Sequence, residues 1–261
     1  MTRSRSGASA IIDISSKGEF WQLCHNVGRG CVAERAWSLE WGDISGFNQH
    51  DRVVMGLLRA AADAVIVGAG TLRAEPFHRW TAEYIYPPFA EAYRSLRTNL
   101  RKSKPPLNVI ITSSGDINLD LPVFQSGEVP VLIVTTTRGL QRIHERDIPP
   151  SVQVIALPGD DRLSARTILE VVNDIRRSDL VLVEGGPQLM GDFLAERRLH
   201  ELFLTLAPQI AGRDGSTERP GFVAGKRFAP EQPLWGILVS VKCASNHLFL
   251  RYTFETTTLT L

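Results

Sequence analysis

Residues 179–190 contain the feature that most restricts how this chain can fold, a short apolar run interrupted by turn-forming residues. The run at residues 179–183 is rich in β-branched side chains and is typical of a strand buried on both faces. It ends at Glu184, Gly185, Gly186 and Pro187. Pro187 suits the first position of a helix, and apolar side chains then recur on one helical face. The stretch therefore predicts a strand, a tight glycine turn and a helix.

A turn of this kind is suited to binding a phosphate group. Glycines let a ligand approach the backbone closely, and the first N–H groups of a helix point at the ligand together with the positive end of the helix dipole. Glu184, at the carboxyl end of the strand, is a natural partner for a hydroxyl or amine beside that phosphate. The alternative is an ordinary turn in which the glycines serve only backbone geometry.

The same strand-and-turn pattern recurs along the chain. Apolar runs predict strands at residues 20–26, 63–67, 107–111, 131–134, 152–157 and 179–183. Helical periodicity separates several of them, as in the helices that Asp51 opens and Ser164 caps. A strand at residues 201–206 and a hairpin with its turn at residues 244–246 close the chain. The order predicts an α/β fold: a mostly parallel sheet with helices on both faces, made mixed by the C-terminal antiparallel hairpin.

Four of the predicted strands end in glycine or hydroxyl clusters, at residues 68–71, 112–114, 135–138 and 184–187. Carboxyl ends of parallel strands share one edge of the sheet, where α/β proteins bind ligands, so we expect a nucleotide-sized ligand there. Arg138 is a candidate for an extra phosphate such as the 2′-phosphate of NADP, with a solvated surface arginine as the equal alternative. The absence of GxGxxG and GxxxxGK[ST] motifs argues against an ordinary dinucleotide fold or a P-loop NTPase.

Composition excludes several classes of protein. A formal charge of +1 provides no overall field to attract nucleic acid or an anionic membrane, and no apolar run approaches the roughly 20 residues of a membrane-spanning helix. The cysteines form no CxxC pair and the histidines no zinc pattern, so we expect reduced thiols, no metal and a cytoplasmic location. We expect one domain at residues 19–255 between tails at residues 1–18 and 256–261.

Residues 77–93 form an aromatic, proline-containing segment between the second glycine turn and a basic stretch. Its irregular pattern predicts a lid or a substrate wall rather than part of the core. No GxSxG or equivalent nucleophile motif is present, so the sequence gives little support to covalent catalysis.

Four segments together resemble the reductase domain of bacterial riboflavin biosynthesis, a family with the dihydrofolate-reductase-like fold. They are residues 63–75, residues 183–187 with Leu189, residues 208–212 and residues 247–252. The resemblance extends over about residues 26–254 and does not include the deaminase domain of the bifunctional enzymes, so we expect a stand-alone reductase. It implies bound NADPH, a homodimer, and hydride transfer to the ribosyl C1′ of a 5-amino-6-(5-phosphoribosylamino)uracil-type substrate.

The resemblance also implies roles for individual residues. Expected cofactor contacts, with Arg138 added for the extra phosphate, are Gly70, Thr71, Ser113, Gly185, Gly186, Pro187 and Leu189. The expected catalytic residues are Glu184, which also contacts the sugar, and Asp43, in a loop between nicotinamide and substrate. The expected substrate contacts are Arg29, Ser45, Glu75, Arg79 and Glu184.

Arg29 departs from the family pattern because it stands where an aspartate is usual. A guanidinium in that place reverses the local charge and removes a hydrogen-bond acceptor. The alternatives are therefore a dihydrofolate-reductase-like or secondary-metabolic paralogue that reduces another heterocycle, and a protein that binds NADPH without catalysis. For the substrate phosphate the candidates are Arg73 and Arg79.

Overall fold

The computed structural model describes residues 46–159, 163–210 and 221–255. The predicted first strand at residues 20–26 and the predicted site residues Arg29, Asp43 and Ser45 lie outside the described residues. Within the described ranges, no helix is long and apolar enough to cross a membrane.

A five-stranded parallel sheet forms the centre of the structure. Its strands are β1 (Ala64–Gly68), β2 (Leu107–Thr112), β3 (Val131–Thr136), β4 (Val152–Leu157) and β5 (Val181–Gly185). They lie in the order β4-β3-β2-β1-β5, so the chain builds outward from β1 on one side and then returns to place β5 on the other. The strand order therefore reverses between β1 and β5, which are parallel neighbours.

Helices cover both faces of this sheet, as the sequence predicts. They are α1 (Gln49–Ala61), α2 (Ala69–Ala74), α3 (Ala82–Ile85), α4 (Ala90–Asn99), α5 (Pro122–Gln125), α6 (Thr137–His144), α7 (Ala165–Ile175) and α8 (Pro187–Ala195), with a 3₁₀ turn at Pro87–Phe89. Alternate strand residues point to opposite faces. Val65 and Val67 pack with Leu72 of α2, whereas Ile66 packs with side chains of α7 and α8. The sheet is thus buried on both sides.

The chain ends in a smaller antiparallel sheet. It contains β6 (Glu201–Leu206), β7 (Ile237–Ala244) and β8 (His247–Thr253) in the order β6-β8-β7. The predicted hairpin is present, and Ser245 and Asn246 form its turn with φ values of 47° and 64°. Because β8 pairs with β6 on one side and β7 on the other, the hairpin lies in a separate sheet and does not extend the parallel one within the described residues.

The prediction that residues 77–93 lie outside the core is wrong. Trp80 is fully buried in the apolar cluster beneath one face of the parallel sheet. Tyr93 is fully buried in a second cluster, where α3 and α4 pack against α1. The helix α3 has only four residues, too few for its buried side chains to produce a recognisable period in the sequence. Short helices that fold back on α1 therefore bury a segment that appears irregular in the sequence.

Candidate functional site

The glycine turns that follow β1 and β5 lie against each other at the carboxyl edge of the sheet. A Cβ atom built on Gly185 would lie 3.3 Å from the Thr71 hydroxyl oxygen, and one built on Gly186 would lie 3.8 Å from it. A Cβ atom on Gly68 would lie 3.5 Å from the carbonyl oxygen of Gly185. The structure therefore brings together Thr71, Gly185 and Gly186 at the crevice between β1 and β5, hereafter the β1/β5 crevice.

The backbone of the second turn requires glycine. Gly185 has a φ of +143° and Gly186 a φ of +75°, which side-chain-bearing residues rarely adopt. Among the described residues no side chain caps α8, whose first helical bond runs from Met190 N–H to Gly186 C=O at 3.0 Å. Helix geometry leaves the N–H groups of Gln188 and Leu189 without an acceptor inside the helix. Pro187 occupies the first helical position, as the sequence predicts.

Leu189, a predicted cofactor contact, lies in the first turn of α8. Its side chain is buried in the core beneath α7 and α8, where it packs with Phe193 and Ile66. The sequence pattern that placed Leu189 on the apolar face of the helix is therefore confirmed. A contact between Leu189 and the cofactor stays a prediction, and its backbone N–H would make that contact.

The turns after β2 and β3 form a second close contact along the same edge. The Thr136 hydroxyl donates to Ser113 C=O at 2.7 Å and accepts from Gly139 N–H at 3.0 Å. The Thr112 hydroxyl accepts from Gly115 N–H at 3.1 Å. The bond from Thr136 to Ser113 thus joins the two turns, and the other two bonds each stay within one turn. Ser113 is half-buried, and Arg138, in the first turn of α6, is exposed.

We expect Gly139→Ala to lower the free energy of unfolding by roughly 1–3 kcal/mol because the added methyl group overpacks this contact. A Cβ atom on Gly139 would lie 2.0 Å from the Thr135 hydroxyl oxygen and 2.8 Å from Ser113 C=O. Gly70→Ala is the matched control, since no described atom lies within 4 Å of a Cβ atom there. Urea unfolding measures both variants. Equal stability of the two variants would contradict the close contact.

Glu184 lies in a β-bulge at the β1/β5 crevice. Ile66 pairs with Val183 and Val67 pairs with Gly185, so Glu184 is the extra residue between them. Bulges of this kind reorient a side chain and are frequent beside active sites. The Glu184 side chain is 8% exposed.

Arg59 of α1 binds both carboxylate oxygens of Glu184. Its Nε and Nη2 atoms each donate at 2.6 Å, and its Nη1 donates to Thr81 C=O at 3.2 Å. The Arg59 side chain is completely buried. Arg59 was not among the site residues predicted from the sequence, where the only indication is a charged residue inside the apolar end of α1.

His78 is buried close to this ion pair. Its ring stacks edge-on with Trp80 at 5.1 Å and with Tyr84 at 4.9 Å between ring centroids. Burial, and to a smaller extent the charge of Arg59, lower the pKa of His78 to about 2. The imidazole is therefore neutral at physiological pH.

The structure separates Arg79 from the glycine turns. Its guanidinium forms an ion pair with Glu128, which precedes the amino end of β3. The neighbouring Trp80 C=O accepts from the side chain of Asn108, near the amino end of β2, at 3.2 Å. Because the turns lie at the carboxyl ends of these strands, we do not include Arg79 in the candidate site.

Arg73 and Glu75, the other predicted substrate contacts among the described residues, lie close to the turn after β1. Arg73 is exposed on α2 and donates to Asp116 C=O at 3.2 Å, in the loop after β2. Glu75 is half-buried at the carboxyl end of α2. In the parts of the chain that the structure describes, no group of three or more His, Cys, Asp or Glu residues is arranged to hold a metal ion.

Fold and site together define a class of protein. A parallel sheet whose strand order reverses beside two glycine turns and a helix N-terminus is typical of α/β proteins that bind phosphate-bearing ligands. Residues 30–234 match the model of the RibD C-terminal domain family. The chain belongs to this family, which confirms the resemblance noted in the sequence.

Curated relatives support the same assignment. The chain is 26% identical over 171 residues to the 2,5-diamino-6-ribosylamino-4(3H)-pyrimidinone 5′-phosphate reductase of Aquifex aeolicus, with 66% of each protein covered. A reductase of the same name from Archaeoglobus fulgidus is 25% identical over 172 residues, covering 65% of this chain and 73% of that protein. The riboflavin biosynthesis protein RibD of Aquifex aeolicus is 25% identical over 167 residues. That match covers 63% of this chain and only 40% of RibD.

Solved structures share the fold. A pyrimidine reductase-like protein from Corynebacterium diphtheriae has a TM-score of 0.64 at 23% identity, covering 80% of this chain and 83% of that one. The riboflavin biosynthesis reductase Rib7 of Saccharomyces cerevisiae has a TM-score of 0.56 at 17% identity, covering 91% and 98%. The predicted α/β class with a mostly parallel sheet is therefore confirmed.

Proposed function

We propose that this chain is an NADPH-dependent reductase of riboflavin biosynthesis, transferring a hydride to the ribosyl C1′ of a 5-amino-6-(5-phosphoribosylamino)uracil-type substrate. The observation that carries the proposal is the Gly185-Gly186 turn, which lies against Thr71 with the carboxylate of Glu184 beside it. Family membership supports a reductase, since curated relatives are named as reductases of a phosphorylated ribosylaminopyrimidine.

The residues at the sheet edge fit a phosphorylated dinucleotide. The positive φ of Gly185 and Gly186 and the uncapped start of α8 supply a backbone cradle for a pyrophosphate. Thr71, in α2, borders the cradle. Gly70, its neighbour in α2, would also contact the cofactor, and Ser113 and Arg138 would contact the adenosine half from the turns after β2 and β3. When bound, NADPH would supply the hydride.

The protein residues would contribute mainly by orienting the substrate. A carboxylate has about four lone-pair sites, so Glu184 can accept hydrogen bonds from sugar hydroxyls as well as from Arg59. Correct orientation of two reactants accounts for a large part of the barrier lowering in such reactions. Glu75 remains a proposed substrate contact, as do Arg29, Asp43 and Ser45, which lie outside the described residues.

Stoichiometric oxidation of NADPH tests the proposed function. The two pyrimidines to compare are 5-amino-6-(5-phosphoribosylamino)uracil and 2,5-diamino-6-ribosylamino-4(3H)-pyrimidinone 5′-phosphate, because relatives act by name on the second. We expect one NADPH to be consumed per pyrimidine reduced to its ribityl product. Thermal protection by NADPH without turnover of either pyrimidine would reject the proposed reaction while leaving cofactor binding in place.

Arg138→Ala is expected to raise the apparent Kd for NADPH at least 10-fold and to leave the Kd for NADH within about twofold. The physical reason is the loss of charge-assisted hydrogen bonds to the 2′-phosphate, worth roughly 1.5–3 kcal/mol. The control is Arg166→Ala, an exposed arginine on α7 that pairs with Glu170. Titration calorimetry with both cofactors makes the comparison. Equal weakening for NADPH and NADH would show that Arg138 does not read the 2′-phosphate.

The homodimer implied by the family resemblance remains a prediction. Sedimentation equilibrium of the full chain, with and without NADPH, measures the oligomeric state directly.

A further inference from the structure

A buried arginine is bound to the residue proposed to orient the substrate. Arg59 donates to both carboxylate oxygens of Glu184 at 2.6 Å and anchors its third nitrogen on Thr81 C=O. Two parallel hydrogen bonds from a planar guanidinium define the plane and direction of a carboxylate, which a single contact does not. The Glu184 carboxylate is therefore held in one orientation from the α1 side.

The exposed surface of this pair belongs to the Glu184 side chain. The side chain of Glu184 is 8% exposed and that of Arg59 is completely buried. A molecule at the β1/β5 crevice can thus reach Glu184 without touching Arg59. Glu184 is the extra residue of the β-bulge and directly precedes Gly185. It is therefore the strand residue next to the Gly185-Gly186 cradle.

The charge of Arg59 also affects the electrostatics of the β1/β5 crevice. An isolated carboxylate beside a phosphate-binding turn would repel the phosphate, and an isolated buried charge is strongly disfavoured. The buried guanidinium compensates that charge. The pair leaves hydrogen-bond acceptors on Glu184 without leaving a net negative charge.

We propose that Arg59 is a positioning residue of the active site, acting on the substrate sugar through Glu184. This inference rests on the proposed function. It does not assign Arg59 any contact with substrate or cofactor. Its effect on turnover therefore depends on the presence of the Glu184 carboxylate.

A double-mutant cycle tests the inference, with kcat and KM measured for the pyrimidine that the wild type reduces. Arg59→Lys keeps the charge and removes the planar fork, and we expect it to lower kcat/KM about 10- to 100-fold, as for other misplaced orienting groups. Glu184→Gln is expected to lower kcat/KM at least as much. In the Glu184→Gln protein, the added Arg59→Lys change is expected to alter kcat/KM less than threefold.

Arg97→Lys is the matched control because Arg97 is also a buried arginine. It donates to Ala60 C=O at 2.9 Å and to Ala62 C=O at 2.8 Å at the end of α1, and it does not contact Glu184. We expect this variant to lose thermal stability and to keep kcat/KM within twofold per folded molecule. NADPH protection against thermal unfolding confirms that each variant remains folded and binds cofactor.

The outcomes separate this inference from the proposed function. Wild-type protein that reduces neither pyrimidine overturns the proposed function and this inference with it. Turnover by the wild type that survives Arg59→Lys overturns only the inference. Effects of Arg59→Lys and Glu184→Gln that multiply in the double variant also overturn it, since Arg59 would then act independently of Glu184.

Discussion

Trp80→Ala is expected to lower the free energy of unfolding by about 3–5 kcal/mol. Trp80 is fully buried in the cluster under one face of the parallel sheet, together with Leu72 and Ile110. Removing its indole ring deletes the largest fully buried side chain among the described residues and leaves a cavity beneath the sheet. Urea unfolding followed by far-ultraviolet circular dichroism measures the loss in a way that does not depend on tryptophan fluorescence.

Trp235→Ala is the matched control, because Trp235 is 84% exposed. An exposed substitution of this kind changes the free energy of unfolding by no more than about 0.5 kcal/mol. A similar small effect at Trp80 would mean that residues 77–93 do lie outside the core, as the sequence pattern suggests. The comparison thus tests the correction that the structure makes to the sequence-based prediction.

Acidification from pH 6.5 to pH 4.5 is expected to remove about 2–3 kcal/mol of stability through His78 alone. Burial and the charge of Arg59 lower the pKa of His78 from 6.5 to about 2 in the folded protein. Between these two values the unfolded chain binds a proton that the folded protein does not, so stability falls as pH falls, by up to about 1.4 kcal/mol per pH unit. Above pH 6.5 this contribution is constant.

Replacing His78 by phenylalanine keeps a ring between Trp80 and Tyr84 and removes the titration. The expected result is a shallower decline of stability between pH 6.5 and pH 4.5, whatever the stability of the variant at neutral pH. The same substitution at His144, which is exposed at the end of α6, is the control and should leave the decline unchanged. An identical pH profile for His78→Phe and the wild type would contradict burial of a neutral imidazole.

Local chemistry made most of the fold predictable. The strands at residues 152–157 and 201–206 match their predicted bounds, because short apolar or alternating runs with clear ends have few other conformations available. Ser164 caps α7 by accepting from Thr167 N–H, as predicted from its position before an apolar stripe. By contrast, the burial of Trp80 under the parallel sheet and of Tyr93 against α1 depends on packing with elements that are distant in sequence.

The candidate site was likewise predictable only where it depends on local sequence. Sequence alone identified the Gly185-Gly186 turn, since glycine readily adopts the positive φ values that the turn requires and since proline marks the start of a helix. Arg59 was not identifiable in this way, because 125 residues separate it from Glu184. The ion pair forms only when folding brings α1 close to Glu184.

The sequence by itself therefore determined most of the strands, the helices that begin near Asp51, after Ser164 and at Pro187, and the glycine turn suited to a phosphate, all of which depend on neighbouring residues. Only the tertiary structure decided which side chains those elements bring together. In the folded structure Thr71 lies against Gly185 and the Glu184 carboxylate binds the buried guanidinium of Arg59. Arg79 forms an ion pair with Glu128, away from the glycine turns. The reason is physical: backbone conformation follows from local sterics and hydrogen bonds, whereas contacts across a sheet edge follow from the packing of the whole core.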